Sequence, residues 1–521
     1  MPAKNLNPAK VDYIKPLEDK PYKEVVAEKQ NYNAELKKKL SAIVGDQNVK
    51  NDPETIARYS KDRSLEPEGR PTFVVHPRNT DEVVKLVKLA NETLLPLIPA
   101  SSGTHNYGCT IPRIGGVIVD LSGWKQIFKV DYRNRATRIQ PGVNYNELQE
   151  ALEKEGLRAM MPLLPRKDQS VLTAHLEAHP MAVAEFVYSE PMYTAEIIMP
   201  KGDIFRTGSA APAPPELMDT TKDIGTDLVG PWGPGFDWNR LYTRAQGTLG
   251  IITWANIMAE PLPVKERIYF TSFDCIKEAS NFTQKVLRKW IGYECFVLNR
   301  ANLAAILADN MPDDFQSLKR NLPKYVQVFV IGGLKRRPEE RIAYQEADFL
   351  DTAQDFGVRP TLDIKGAAKA APFFAKNLRR CWDKEVYWKE AYKGGSSDIF
   401  FLTTLDRTVD FVDVMKAEAN RLDYPASDIG IYVQPIETGR VAYVEFSIPF
   451  NPNDADECAQ VKKLHEAASE AMYTEGALYT RAYGKWAQIV HGRNTIQYKT
   501  AKTLKDYLDP NNVMNPGKLG F

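Results

Sequence analysis

The strongest constraint on the fold is an apolar run that ends in a loop of small residues. Thr93 to Ala100 reads TLLPLIPA, and it is followed by Ser101-Ser102-Gly103-Thr104-His105-Asn106-Tyr107-Gly108. The run has the length and the flanking breakers of a buried strand, predicted over Leu94 to Pro99. The loop after it has two glycines bracketing short hydroxyl side chains, so its backbone can curl and turn several N–H groups toward an anion such as a pyrophosphate. One histidine and one tyrosine in the same turn add a nucleophilic nitrogen and a phenol, which a plain phosphate cradle does not need. In a chain where strands alternate with helices, a loop at the end of such a strand is where ligands sit.

The neighbouring sequence supplies that alternation. A solvated arm with a helix near Asn33 to Val44 leads to a short β run at Pro71 to Pro77. Thr80 to Asn91 starts with a cap-like threonine and an acidic first turn, and its apolar residues fall at helical spacing. Beyond the loop come strands at Gly115 to Leu121 and Thr137 to Val143, then a helix at Tyr145 to Leu152. A second ligand-facing element is predicted at Gly247 to Thr253 (GTLGIIT), where glycines beside β formers let backbone approach a flat ligand. No G-x-G-x-x-G follows the first strand and no P-loop lysine motif is present, which leaves FAD as the expected dinucleotide.

Composition excludes several other classes. With 521 residues the chain is too long for one compact core, and two domains are expected. A formal net charge of +1 gives no bulk attraction to nucleic acid or to an anionic membrane. The five cysteines are scattered without a C-x-x-C pair, so zinc, an iron–sulfur cluster or a disulfide framework on this chain is not expected. The first fifty residues lack an apolar core segment, so neither a signal peptide nor a membrane span is expected there, and the cytoplasm is the expected location.

The series IPASSGTHNYG, GGVIVDLSGWKQI, IQPGVNYNELQEALEKEGL, MPKGDIFRTG, GTLGIIT and LDPNNVMNPGKLGF resembles the vanillyl-alcohol oxidase and p-cresol methylhydroxylase flavoprotein family, over roughly Pro71 to Pro263 and the last thirty or so residues. The resemblance implies an α+β chain with a bipartite FAD-binding domain of the PCMH type, interrupted by a cap domain of antiparallel sheet covered by helices. It divides the chain into an arm (1–50), the first part of the FAD domain (51–263), the cap (264–485) and a return to the FAD domain (486–521). It further implies a cofactor set of Pro99, Ser101, Ser102, Gly103, Thr104, His105, Asn106, Gly108, Ser170, Gly247, Thr248, Gly250, Ile251 and Ile252. In relatives whose loop is similar, the histidine matching His105 is bonded covalently to the flavin.

The substrate side follows from Gly476 to Gly484, similar to the place where phenol-oxidising members carry a Gly-x-Tyr-Arg element. Tyr479 and Arg481 are the matching residues here, one residue apart instead of adjacent, and with Tyr107 they form the expected catalytic set. Such groups hold a para-hydroxyl as its anion before hydride leaves the para side chain. The implied activity is FAD-dependent oxidation of a para-substituted phenol or aryl alcohol. The alternatives are a D-2-hydroxy-acid dehydrogenase of the lactate or glycolate type, which shares GTLGIIT and the terminal motif, and a flavin subunit of a larger electron-transfer complex. Gly476 to Gly484 lacks the Glu and His that the hydroxy-acid enzymes usually carry near the C-terminus. A cytochrome or iron–sulfur partner as electron acceptor and a homodimer are compatible with this reading. His175 and His179 would share a face if their segment is helical, but with no third ligand a structural or substrate-side role is expected rather than a metal. In the cap, Trp382, Tyr387, Trp388 and Tyr392 line either the pocket or its core.

A covalent bond at His105 has a direct check. Acid precipitation is expected to leave the yellow colour in the protein pellet, and colour released wholly to the supernatant would remove the bond.

Overall fold

The computed structural model of the chain describes residues 30–103, 106–184, 192–212 and 228–521. Thr104 and His105 lie outside the described residues. Among those described, three sheets carry the architecture. The first is a four-stranded sheet of β1 (Val49–Lys50), β2 (Phe73–Val75), β3 (Leu97–Ala100) and β4 (Val117–Asp120) in the order β1-β2-β4-β3, with β4 parallel to both neighbours. All eleven residues of β2, β3 and β4 but Pro99 are buried, as parallel strands covered on both faces require.

The helix Thr80–Thr93 precedes β3. Its N-cap is Asn79 rather than the threonine after it: the Asn79 side chain accepts from the Glu82 N–H at 3.0 Å. At the other end Leu94 adopts a left-handed conformation (φ 52°) and closes the helix, so the following strand starts at Leu97, three residues later than the apolar run suggests. The strand expected over Thr137 to Val143 stops at Ile139 for a similar local reason, because Pro141 and Gly142 turn there and the Gly142 N–H reaches back to the Trp124 carbonyl at 2.7 Å.

The second sheet contains β5 (Ile127–Asp131), β6 (Ala136–Ile139), β8 (Met192–Ile198), β9 (Ile204–Arg206) and the long β10 (Ile251–Pro261), in the order β5-β6-β10-β8-β9. The short β7 (Leu157–Ala159) pairs with the far end of β10. The helix Tyr145–Glu153 crosses nearby, started by a reciprocal capping box between Asn144 and Glu147.

The third sheet is wholly antiparallel: β11 (Lys265–Phe273), β12 (Cys295–Asn299), β13 (Tyr325–Gly333), β14 (Gly395–Thr403), β15 (Gly430–Ile436) and β16 (Val441–Phe450), in the order β11-β13-β12-β15-β16-β14. Its two faces differ. Directly paired residues share a face, so Ile399, Phe401, Val444, Phe446 and Val433 form an apolar side, and Phe401 meets Phe411 of the helix Thr408–Arg421 with ring centres 4.6 Å apart. Asp398, Phe400, Tyr443, Glu445, Ser447 and Tyr432 form the opposite side. That polar side is also buried, because it faces the rest of the molecule across the site described below. No helix of the described residues is long and apolar enough to cross a membrane.

After the third sheet the chain returns to the first. Leu97 of β3 donates its N–H to the Val513 carbonyl at 2.7 Å, and Asn515 donates to the Leu97 carbonyl at 2.9 Å. Lys505 and Asp509, one turn apart and both about 1% exposed, hold this junction. The Lys505 ammonium pairs with Asp509 and donates to the carbonyls of Thr248 (2.8 Å) and Met514 (3.0 Å), while Asp509 accepts from the N–H groups of Val513 and Met514. Lys505→Met leaves Asp509 as a buried, uncompensated anion and is expected to cost about 3–5 kcal/mol. Lys502→Met, which breaks the exposed pair with Asp506 on the same helix, is expected to cost well under ~1 kcal/mol. Urea unfolding of the two variants checks the contrast.

Candidate active site

Two adjoining cavities lie between the first two sheets and the polar face of the third. The inner one, about 1150 Å³ with its mouth included, is lined by the end of β3 and its loop, by Ser170 to His179, and by Ala245 to Ile252. The outer one, about 1340 Å³ with its mouth included, is roofed by Asp398, Tyr432, Tyr443 and Glu445 of the third sheet. Asn106, Tyr107, Gln169, His179 and Tyr483 line both and so form the wall between them.

Of the residues expected to hold a cofactor, Pro99, Ser101, Ser102, Asn106, Ser170, Gly247, Gly250, Ile251 and Ile252 line the inner cavity. Ser170 does so from the start of a helix (Val171–Leu176), which it caps by accepting from the Thr173 N–H at 3.1 Å. Gly247 has φ +71°, and a Cβ there would lie 2.5 Å from the Pro99 ring, so the two loops that line the inner cavity touch through it.

Among the described residues, three of the expected set do not line the cavity, each for a visible reason. Gly103 packs against the Asp168 carboxylate, with 2.7 Å left for a Cβ. The Gly108 N–H is committed to Asp62 at 2.6 Å and its carbonyl to the buried Lys518, so this glycine shapes the loop instead of offering its amide to a phosphate. Thr248 is fully buried, with its hydroxyl donated to the Ala245 carbonyl at 2.7 Å. Burial pulls the Lys518 ammonium down to about 8, while it also donates to the Ile111 carbonyl at 2.8 Å.

Tyr107 adopts φ 58°, a left-handed conformation that costs a non-glycine residue of order 1 kcal/mol or more and marks a backbone held by its surroundings. The strain turns its ring into the dividing wall. There it stacks on Tyr483 and meets Phe400 edge-on, each with ring centres 5.0 Å apart. Burial pushes the Tyr107 phenol far up, with the Asp398 charge adding to the effect, so the hydroxyl is neutral and able to donate.

Arg481 reaches the same cavity. Its guanidinium lies 3.8 Å over the face of Phe400 and donates to the Tyr443 hydroxyl at 3.1 Å. Tyr479, expected beside it, is placed elsewhere. The segment around it is irregular, pairing only through an isolated bridge from Leu478 to Leu402. The Tyr479 ring packs on Trp486 (4.9 Å) and Phe401, and its hydroxyl is spent on the Ser469 carbonyl at 3.0 Å. The phenols that accompany Arg481 in the cavity are Tyr107, Tyr387, Tyr432, Tyr443 and Tyr483.

The two histidines do not share a helix face, since the helix ends at Leu176 and Ala178 turns left-handed (φ 48°). His175 is buried, bonded through Nδ1 to the Val171 carbonyl, and held down to about 4 by burial. His179 stands in the wall. Burial first, and then the charges of Arg481 and Lys389, keep it neutral. Of the aromatic stretch in the cap, Tyr387 and Trp388 line the outer cavity, whereas Trp382 is in the core and Tyr392 stacks on Phe315 at 4.1 Å.

Several functional candidates were not legible beforehand. Lys389 is bonded to Asp398 at 2.7 Å and Glu445 at 2.5 Å. Burial opposes its charge, but the two carboxylates outweigh that and raise it well above its ordinary value. Asp398 is correspondingly lowered, the Lys389 charge outweighing burial. Glu177 lines the inner cavity, accepts from the Tyr483 hydroxyl, and is pushed up by burial. The only sequence signal for the roof is the alternation in VAYVEFSIPF, whose second face carries Tyr443, Glu445 and Ser447.

Comparison with known proteins fits this geometry. Residues 71–208 match a family described as an FAD binding domain. The glycolate oxidase subunit GlcD of Bacillus subtilis is 26% identical over 257 residues, which are 49% of this chain and 50% of the subunit, so the chain spans about half of that relative. The mitochondrial D-lactate dehydrogenase [cytochrome] of Arabidopsis thaliana is 23% identical across 86% of this chain and 73% of its own length. Among solved structures, p-cresol methylhydroxylase with substrate bound superposes with a TM-score of 0.79 at 15% identity, covering 94% of this chain and 97% of that one. A 4-ethylphenol oxidase from Gulosibacter chungangensis gives 0.78 at 16%, with the same coverage.

The two tyrosines offer a test of the placement. Tyr107→Phe is expected to keep the cofactor but slow its reduction by substrate roughly 10- to 1,000-fold, as loss of one hydrogen bond to developing charge does. Tyr479→Phe is expected to leave the rate within about twofold. Stopped-flow reduction beside a flavin-occupancy measurement reads both, and the reverse order would move the site.

Proposed function

We propose that this chain is an FAD-dependent oxidoreductase, built on the fold it shares with p-cresol methylhydroxylase, and that it oxidises a para-substituted phenol or aryl alcohol. The observation that carries the reading is the Arg481 guanidinium, held against Phe400 and Tyr443 inside an aromatic cavity that shares Tyr107 and Tyr483 with the cofactor cavity. A permanent cation favours the phenolate form of a bound hydroxyl. The rings of Tyr107, Tyr387, Trp388, Tyr432, Tyr443 and Tyr483 suit a flat apolar substrate.

FAD supplies the two-electron acceptor. The chain's own residues would bind, orient and exclude water: Pro99, Ser101, Ser102, Asn106, Ser170, Gly247, Gly250, Ile251 and Ile252, which line the inner cavity, would hold the cofactor, and Tyr107 and Arg481 would hold the substrate oxygen. The His105 bond to flavin remains part of this proposal.

A second reading, a D-2-hydroxy acid, draws support from the glycolate and D-lactate relatives, and an arginine would also bind a carboxylate. The aromatic lining gives a flat ring more to pack against than it gives a three-carbon acid, which favours the phenol. For the electron acceptor, the relative with cytochrome in its name supports a haem protein.

Anaerobic bleaching of the flavin with para-alkylphenols, benzylic alcohols and D-2-hydroxy acids separates the two readings. Fast bleaching is expected with the phenols, and bleaching by the hydroxy acids alone would overturn the proposal. Arg481→Ala is expected to slow bleaching by the phenol about 100- to 1,000-fold at unchanged FAD occupancy. Equal loss of both would make the arginine structural.

A further inference from the structure

The roof of the outer cavity contains a directed chain of polar groups whose use the proposed function leaves open. Arg481 is a donor only, and it donates to the Tyr443 oxygen at 3.1 Å; the Tyr443 hydroxyl therefore has its own proton free to point to Glu445, which it does at 2.7 Å. Glu445 takes its second contact from Lys389 at 2.5 Å, and Lys389 is tied in turn to Asp398 at 2.7 Å. All five side chains are buried or nearly so, and all line the cavity.

The polarity of Tyr443 is thus fixed from both sides. With its proton on the carboxylate, its oxygen presents a lone pair to the cavity beside Arg481. A substrate hydroxyl entering there meets an acceptor that already has an outlet for a proton. Burial, followed by the Glu445 charge, keeps the Tyr443 phenol from ionising by itself, so it can pass a proton on without holding a charge. Tyr107, Tyr387 and Tyr432 are the other titratable groups close enough to sense Glu445, and each is held neutral by burial.

We infer that Tyr443 takes the phenolic proton of the substrate while giving its own to Glu445, so that the substrate oxygen becomes an anion facing Arg481 as its para side chain is oxidised. In this step the substrate O–H breaks as a Tyr443 O–H forms, and the former Tyr443 O–H breaks as a Glu445 O–H forms. No electrons change hands. Tyr443 touches the substrate; Glu445 acts through it, and Lys389, anchored by Asp398, fixes the carboxylate in place. The inference rests on the phenol reading given above.

The sign of the effect separates a relay from plain electrostatics. Removing an anion from the cavity would by Coulomb's law alone favour the substrate phenolate and speed its oxidation. A relay requires the opposite. In anaerobic stopped-flow with 4-ethylphenol, the Glu445→Gln holoenzyme is expected to reduce its flavin about 100- to 10,000-fold more slowly near neutral pH. The rate is expected to recover as pH rises through the ionisation of 4-ethylphenol itself, since a phenolate needs no proton acceptor. Tyr443→Phe, which keeps the ring against Phe400, is expected to give the same slow rate and the same alkaline recovery, and it decides the matter if Glu445→Gln fails to retain FAD. An unchanged or faster rate, or a loss that is the same at every pH with FAD occupancy intact, would overturn the relay. If the unaltered enzyme is not reduced by 4-ethylphenol at any pH, the phenol reading fails and the relay falls with it.

Discussion

The loop that lines the inner cavity is held in place by a segment that lies far beyond it along the chain. Lys505 and Asp509 form a buried ion pair that also satisfies four backbone groups, those of Thr248, Val513 and Met514. By doing so they connect β3, which delivers the loop, to the GTLGIIT segment on the other side of the inner cavity. Lys518 completes the clamp from below, bonding the carbonyls of Gly108 and Ile111. Removing an ammonium group from water costs several kcal/mol. Placing two of them under one loop is favourable only because each finds carbonyls, or a carboxylate, that would otherwise be orphaned in the interior.

The cap follows the same logic on a larger scale. A sheet with one apolar and one polar face ordinarily shows the polar face to solvent. Here the polar face is buried over the outer cavity, and its charges are balanced within a single string from Asp398 through Lys389 and Glu445 to Arg481. Two cations and two anions linked by a tyrosine leave no uncompensated charge. The aromatic rings between them, above all Phe400, keep the guanidinium against a π face.

This explains what was legible in the sequence and what was not. The loops that line the inner cavity could be read because their signal is local: Ser101, Ser102, Gly247 and Gly250 are small residues next to strands, where backbone can approach a cavity closely. Gly103, Gly108 and Thr248 were read with them, but the structure spends them on Asp168, Asp62 and Ala245, partners that lie outside the motif. Arg481 was found through a resemblance, yet its neighbour Tyr479 turns into the core, because a segment without regular pairing does not keep alternate residues on one face. Tyr443 and Glu445 were hidden in a strand whose alternation gives no sign that both faces are covered. Lys389 was hidden more deeply, since only the folded sheet brings it to two carboxylates, 9 and 56 residues away along the chain.

The clamp on the cofactor loop has a consequence for how the protein is made. Lys518 and Gly108 are 410 residues apart in sequence, and β3 gains its last neighbour only when Met514 exists. During synthesis the antiparallel cap, whose strands pair over short and middle distances, emerges whole and can assemble while the loop is still unsupported. Contacts of such long range form late and slowly, and they leave hydrophobic strands waiting for partners. The last strand of the cap ends at Phe450, so the lid can be complete before Met514 is made, and the cradle for the cofactor closes only after the lid.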